Sequence, residues 1–223
     1  MAGGPLHSLL RQYAPRVRAR GAVLRKVARK LGLVYFGTVN QHNDDHDIIR
    51  GLTVSTTHKD THYAVGAYDG YDISLVDRFD VVSHKHGSTD NHEWVILRIS
   101  LRDVLDHPHL FMLPVHSNEH LYSSYFTAAR QLHPLNQLFD AVHSQEFHGR
   151  YKVYGMTSRI SEIENVLSPQ ISQVLAARFW PHAIELFEGS LYVYITEHRL
   201  TETVLGSAVE SALWLAAQLD NND

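Results

Sequence analysis

The stretch Ile184–Thr196, IELFEGSLYVYIT, constrains the fold more than any other part of the chain. Glu188-Gly189-Ser190 is a turn signal between two β-rich runs, a pattern typical of a hairpin. Successive side chains of a strand point to opposite faces, so the apolar and tyrosine residues of the second strand are expected to separate. One face would carry Leu191, Val193 and Ile195, and the other Tyr192 and Tyr194. Helical patterns flank the hairpin, so helices are expected to cover one face of its sheet.

The remaining elements follow from apolar periodicity and turn residues. Helices are predicted over 16–31, with Pro15 in the first turn and Gly32 as the C-terminal stop, and over 119–132, 158–167, 169–179 and 203–219. Ser168-Pro169 suits the N-cap and first position of the fourth helix. Strands are predicted over 33–39, 62–67, 71–82, 93–101, 110–115 and 147–154, with Asp69-Gly70 as a hairpin turn.

These elements predict an α+β fold in which antiparallel hairpins form a mixed sheet packed against amphipathic helices. The chain has 223 residues and no linker rich in Pro, Gly or Ser, so a single domain over 1–223 is expected. A similar pattern of a helix running into a strand at 24–39 and 174–195 indicates a weak internal repeat. No run approaches the ~18 apolar residues of a membrane-spanning helix, so the chain as given is expected to be soluble and cytoplasmic.

Positive charge is concentrated near the N-terminus. Residues 11–30 carry eight Lys/Arg and no acid, and the first acidic residue is Asp44. Such a basic segment on an acidic body suggests a tether to an anionic surface, and the alternative is a solvated helix face. The candidate membrane- or anion-binding residues are Arg16, Arg18, Arg20, Arg25, Lys26, Arg29 and Lys30. The tether would place the protein at the inner face of the membrane. The acidic body argues against sequence-specific nucleic-acid binding.

Asp77 stands out among the carboxylates because strand alternation places it on the apolar face of its strand. A buried carboxylate needs a charged partner, and Arg78 and Arg98 are the candidates near it. We therefore expect Asp77 to be a buried polar residue with a structural or functional role.

Histidine is abundant, at 17 residues. Three pairs have the i, i+4 spacing that places two imidazoles on one helix face: His42/His46, His58/His62 and His116/His120. Random placement gives roughly one such pair, and no pair contains the glutamate of the HExxH motif. A metal site and ordinary surface histidines therefore both remain open interpretations.

Motifs for other chemistries are missing from the sequence. There is no cysteine, which excludes disulfides and thiolate catalysis. Neither GxSxG nor a phosphate-binding glycine loop occurs. The sequence therefore indicates no catalytic residue and no cofactor.

Five segments together resemble a broad group of bacterial domains with no assigned activity, usually found behind membrane-spanning segments. They are RKLGLVYFG (29–37), VGAYDGYDISLVDR (65–78), HPHLFMLPV (107–115), FHGRYKVYG (147–155) and IELFEGSLYVY (184–194). The resemblance implies a location near a membrane and carries over no catalytic residue. This chain lacks the membrane segments of the group.

The sequence thus favours a non-enzymatic binding or scaffolding domain that acts at a membrane surface. One alternative is a metal-dependent enzyme that uses the histidine pairs. Another is a homo-oligomer or protein complex assembled through a sheet face that carries Tyr151, Tyr154, Tyr192 and Tyr194.

Overall fold

The computed structural model describes residues 5–38, 58–83, 89–102, 107–117, 122, 125–126, 129–139, 143–196 and 199–221. The helices are α1 (Pro5–Lys30), α2 (Asn136–Phe139), α3 (Gln145–Arg150), α4 (Ile160–Val166), α5 (Pro169–Val174) and α6 (Glu202–Leu219). A π-helical turn, Leu175–Phe179, extends α5, and a 3₁₀ turn, Thr157–Arg159, precedes α4. The strands are β1 (Val34–Thr38), β2 (Lys59–Tyr68), β3 (Tyr71–Ser83), β4 (Thr89–Ser100), β5 (Leu110–Pro114), β6 (His133–Pro134), β7 (Tyr151–Gly155), β8 (Ala183–Phe187) and β9 (Ser190–Ile195).

The nine strands form one sheet in the order β1-β2-β3-β4-β9-β8-β5-β7-β6, which confirms the α+β fold. Each described strand pair is antiparallel, so the mixed character expected of the sheet is absent from these pairs. An example is the helical crossover from β7 through α4 and α5 to β8. It passes over β5, so the two parallel strands that it joins are not neighbours.

Both predicted hairpin turns are confirmed. Asp69-Gly70 has φ values of 52° and 75°, and Glu188-Gly189 has values of 47° and 66°. Two successive left-handed residues characterise the type I′ turn, whose twist matches that of the paired strands. The turns set the register, with Tyr68 opposite Tyr71 and Phe187 opposite Ser190.

The two faces of the sheet differ in composition. The larger apolar core lies between the sheet and the helices, and it includes Leu191, Val193 and Ile195 as predicted. The opposite face carries a second, aromatic-rich cluster that includes Trp94, Phe111, Tyr122, Tyr192 and Tyr194. Strand alternation alone accounts for the separation of the β9 side chains.

Three predicted elements differ from the structure. Helix α1 begins at Pro5, so Pro15 lies inside the helix, where it lacks the N–H of the i→i−4 bond, and not in the first turn. The predicted strand over 147–154 is shortened by α3, whose first turn is capped by Ser144 accepting a hydrogen bond from the Phe147 N–H at 3.2 Å. Half of the predicted helix over 119–132 lies outside the described residues; Tyr122, Tyr125 and Phe126 are helical, whereas residues 129–132 are not.

Candidate anion-binding helix face

Helix α1 lies on the first strands of the sheet and packs through Leu24, Val27 and Ala28, which are almost fully buried. It ends as predicted at Gly32, whose φ is 71°. The Gly32 N–H donates to the Arg29 carbonyl at 3.2 Å, and the Leu33 N–H donates to the Ala28 carbonyl at 2.8 Å. This pair of bonds is a Schellman motif, which turns the chain directly into β1.

A buried ion pair anchors the helix to the sheet. Arg20 Nη2 lies 2.6 Å from Asp77 Oδ1, and Arg20 Nε donates to the two carboxylate oxygens at 3.0 and 3.1 Å. The two residues are 4% and 6% exposed. A guanidinium held against a carboxylate by several hydrogen bonds is a strong, directional contact. Asp77 is therefore buried, as predicted, and its structural role is to hold α1.

The partner predicted for Asp77 was wrong. Arg78 follows Asp77 and points to the opposite face, where its Nε and Nη2 donate to Asp60 at 2.7 and 2.8 Å. Arg98 lies opposite Ser74 in the β3–β4 register and so shares that opposite face. Because side chains alternate with a period of two, neither arginine can reach Asp77 through the sheet.

Because Arg20 is buried in this pair, it is not a surface cation, and its predicted role as an anion-binding residue was wrong. The side chain of Arg16 lies outside the described residues. The remaining predicted cations are exposed on one side of α1 and define what we call the cationic face: Arg18, Arg25, Lys26, Arg29 and Lys30.

Two members of the cationic face contact other elements. The Arg25 guanidinium lies over the Tyr35 ring, 5.1 Å from its centroid. Lys26 Nζ lies 2.7 Å from Glu202 Oε1 at the start of α6. Both contacts are at the surface, where an ion pair contributes at most about 1 kcal/mol. They position the side chains and leave their charges accessible to solvent.

A close contact fixes the helix at Gly21. A Cβ at this position would lie 2.3–2.8 Å from three ring atoms of His62, so only glycine allows the ring to sit against the helix. His62 lies at an irregularity of β2 with a φ of 54°, and its Nδ1 is 2.7 Å from the Tyr35 hydroxyl. The imidazole thus fills the space between α1, β1 and β2.

The predicted histidine pairs do not form a helical metal site in the described residues. His62 lies on β2 and His58 directly precedes that strand, so their i, i+4 spacing does not place the two rings on one helix face. His116 is exposed in a turn. His42, His46 and His120 lie outside the described residues. Within the described ranges, no group of three or more His, Asp or Glu side chains is arranged to hold a metal ion.

A second buried carboxylate, Glu185, was not predicted. It is 1% exposed on the aromatic face, and its Oε1 lies 2.8 Å from His109 Nε2. The hydroxyls of Tyr125 and Tyr194 also donate to this carboxylate. Burial, followed by the Glu185 charge, raises the pKa of Tyr125, which keeps the phenol a hydrogen-bond donor. The sequence signal was a glutamate within the apolar run of β8.

These contacts stabilise a buried charge and hold Tyr125 on the sheet. They also bear on the tyrosine face proposed for subunit assembly. Tyr192 and Tyr194 are buried within the chain, and Tyr151 is buried on the helix-covered face. The assembly surface expected from these tyrosines is therefore not exposed at these three positions.

None of the helices in the described ranges is both long enough and apolar enough to cross a bilayer.

Neither a protein-family model nor a curated protein matches the chain. Among solved structures, the crystal structure of the mycobacterial trehalose monomycolate transport factor A, TtfA, superposes with a TM-score of 0.57. The alignment covers 92% of this chain and 94% of TtfA at 9% sequence identity. The two chains share a fold. At this identity the likeness concerns the backbone architecture alone.

Proposed function

We propose that the protein is a non-enzymatic binding or scaffolding module that docks on an anionic membrane surface through the cationic face of α1. The observation that carries the proposal is the buried Arg20–Asp77 pair, which holds α1 on the sheet while Arg18, Arg25 and Arg29 remain exposed. A cationic side chain near an acidic leaflet contributes about 1 kcal/mol. Several such side chains on one rigid helix act together without ordering a flexible segment.

The charge distribution supports the same proposal. The first acidic residue of the sequence is Asp44, so α1 carries no acid of its own to oppose an anionic surface. The fold shared with TtfA, which is named as a transport factor, is consistent with a role other than catalysis. The inner face of the cytoplasmic membrane is the surface that this charge pattern fits best, because its acidic lipids give it a negative potential.

Vesicle co-sedimentation tests the proposal with phosphatidylcholine vesicles that contain or lack phosphatidylglycerol. We expect binding only to the acidic vesicles, with weakening as ionic strength rises. Arg18→Gln/Arg25→Gln removes two exposed charges and is expected to weaken binding about 30-fold, since it removes about 2 kcal/mol. Arg20 is left intact because its loss would disturb the fold.

The matched control is Arg130→Gln/Arg178→Gln, which changes the net charge equally at two exposed positions outside α1. This control is expected to bind acidic vesicles as the parent does. Equal binding by the parent and by Arg18→Gln/Arg25→Gln would instead identify the cationic face as a solvated surface and overturn the proposal.

A further inference from the structure

A groove of about 360 Å³ lies between the end of α1, the first half of α6 and the tip of the β2–β3 hairpin. The apolar part of its lining comes from Leu31, just after α1, from the ring of Tyr68, and from the edges of the nearly buried Val27 and Val209. Its volume lies at the lower end of the range for small-molecule sites. The groove is therefore wide enough for one slender apolar group.

Gly206 lines the same groove and is unusual for its position. It lies inside α6, where glycine destabilises a helix relative to alanine. Close packing commonly explains such a glycine, yet a Cβ built at Gly206 would meet no atom within 4 Å. Packing against the described residues therefore does not account for the glycine, and the missing side chain leaves this part of the lining open.

The rim of the groove is charged and continues the cationic face. Lys26, Arg29 and Lys30 contribute positive charge, and Glu202 and Glu210 contribute negative charge. Glu202 is paired with Lys26 at 2.7 Å. Arg29 and Lys30 have no ion-pair partner among the described residues. Their positive charges outnumber the single negative charge of Glu210, so the rim has an excess of positive charge.

We infer that this groove binds an anionic amphiphile, a lipid whose single alkyl chain lies against Val27, Leu31 and Val209 and above Gly206. The negatively charged headgroup lies at Arg29 and Lys30. The inference rests on the proposed function, because the groove adjoins the cationic face and would take its lipid from the same anionic surface. It adds a defined ligand site to a general surface attraction.

Isothermal titration with laurate below its micellar concentration tests the apolar part of the site. Gly206→Leu fills the groove with a side chain that is also a good helix former, and it is expected to weaken laurate binding at least tenfold. Gly206→Ala is expected to raise the Tm by about 2–4 °C, because it restores helix propensity, and to weaken binding to a smaller extent.

Gly149→Leu is the matched control, because Gly149 is also a helical glycine with no atom within 4 Å of an added Cβ, but it lies on α3 away from the groove. It is expected to bind laurate as the parent does. Failure of the parent to bind laurate, or equal binding by Gly206→Leu, would overturn the inference.

The headgroup assignment is tested by comparing laurate with dodecanol. Laurate is expected to bind the parent more than tenfold more tightly, and Arg29→Gln/Lys30→Gln is expected to abolish this preference. Persistence of the preference in that variant would overturn the placement of the headgroup.

The two proposals fail separately. Arg18→Gln/Arg25→Gln leaves the groove residues intact, so it is expected to bind laurate while losing acidic vesicles. A parent protein that sediments with acidic vesicles but does not bind laurate would overturn the groove inference and leave the proposed function standing. A parent that binds laurate but sediments equally with acidic and neutral vesicles would overturn the proposed function. Laurate binding by Gly206→Leu would then still test whether the groove is the binding site.

Discussion

His182 shows how one buried side chain makes the stability of this protein depend on pH. It is 8% exposed, at the junction between the π-helical turn and β8. Its backbone N–H donates to the Phe179 carbonyl at 2.7 Å, and its carbonyl accepts a hydrogen bond from the Tyr151 hydroxyl at 3.1 Å. Burial lowers the pKa of the imidazole from 6.5 to about 4, because the charged form is desolvated. The ring is therefore neutral in the folded protein at pH 7.

Acid is expected to destabilise the fold through His182. The unfolded chain binds a proton near pH 6.5 and the folded chain only near pH 4, so stability is lost as the pH falls between these values. The difference corresponds to about 3 kcal/mol from this group. Urea denaturation between pH 7.5 and 4.5 should show a smaller loss of stability for His182→Leu than for the parent. His133→Gln, at an exposed position on β6, is the control for removing an imidazole. Identical pH profiles for His182→Leu and the parent would contradict the prediction.

At the scale of elements, α1 depends on contacts that differ in kind. Leu24, Val27 and Ala28 supply apolar burial, and Gly21 lets the His62 ring approach the helix. The Arg20–Asp77 pair adds a directional contact between a helix and a strand that are far apart in the sequence. A buried ion pair contributes little net stability, but removing one partner leaves an uncompensated charge. The pair thus specifies where α1 docks.

Replacing either member alone is expected to destabilise the protein strongly. Arg20→Gln or Asp77→Asn should lower the free energy of unfolding by about 3–5 kcal/mol. The double variant Arg20→Met/Asp77→Leu removes both charges and should recover most of that loss, because neither charge remains unpaired. Chemical denaturation of the three variants provides the measurement. A loss of unfolding free energy in the double variant equal to the sum of the two single losses would show that the two side chains act independently and do not form a stabilising pair.

The whole molecule is joined through the middle of its sheet. Strands β1–β4 form one antiparallel group and β9, β8, β5, β7 and β6 the other, and β4 pairs with β9 from Val95–Ile195 to Ser100–Ser190. Leu97 lies at this junction, fully buried, opposite Leu75 on one side and Val193 on the other. A continuous sheet under a shared apolar core is expected to unfold as one cooperative unit.

Leu97→Ala tests this expectation. The truncation should cost about 2–5 kcal/mol through lost burial and the cavity left behind. Hydrogen exchange measured by mass spectrometry is expected to show the same loss of protection in peptides from β2 and from β8, because global unfolding exposes both. A loss of protection confined to one group of strands would instead show that the two groups unfold separately.

The sequence by itself determined the local features of this protein. The two hairpins, the stop at Gly32, the Ser168-Pro169 start of α5 and the separation of apolar and tyrosine side chains on β9 all depend on neighbouring residues. Turn dipeptides, caps and the period of two are short-range signals, so they can be recognised without knowing the fold. The same period also showed that Asp77 would be buried.

Only the tertiary structure decided which distant groups meet. Arg20 and Asp77 are 57 residues apart, and Glu185 is 60 and 76 residues from Tyr125 and His109. Partners of this kind depend on strand order and helix docking, which the local pattern does not encode. The basic residues of α1 looked alike in the sequence, yet the packing buried one against a carboxylate and left others exposed. The physical reason is that burial is a property of the assembled layers, whereas charge and periodicity belong to the chain.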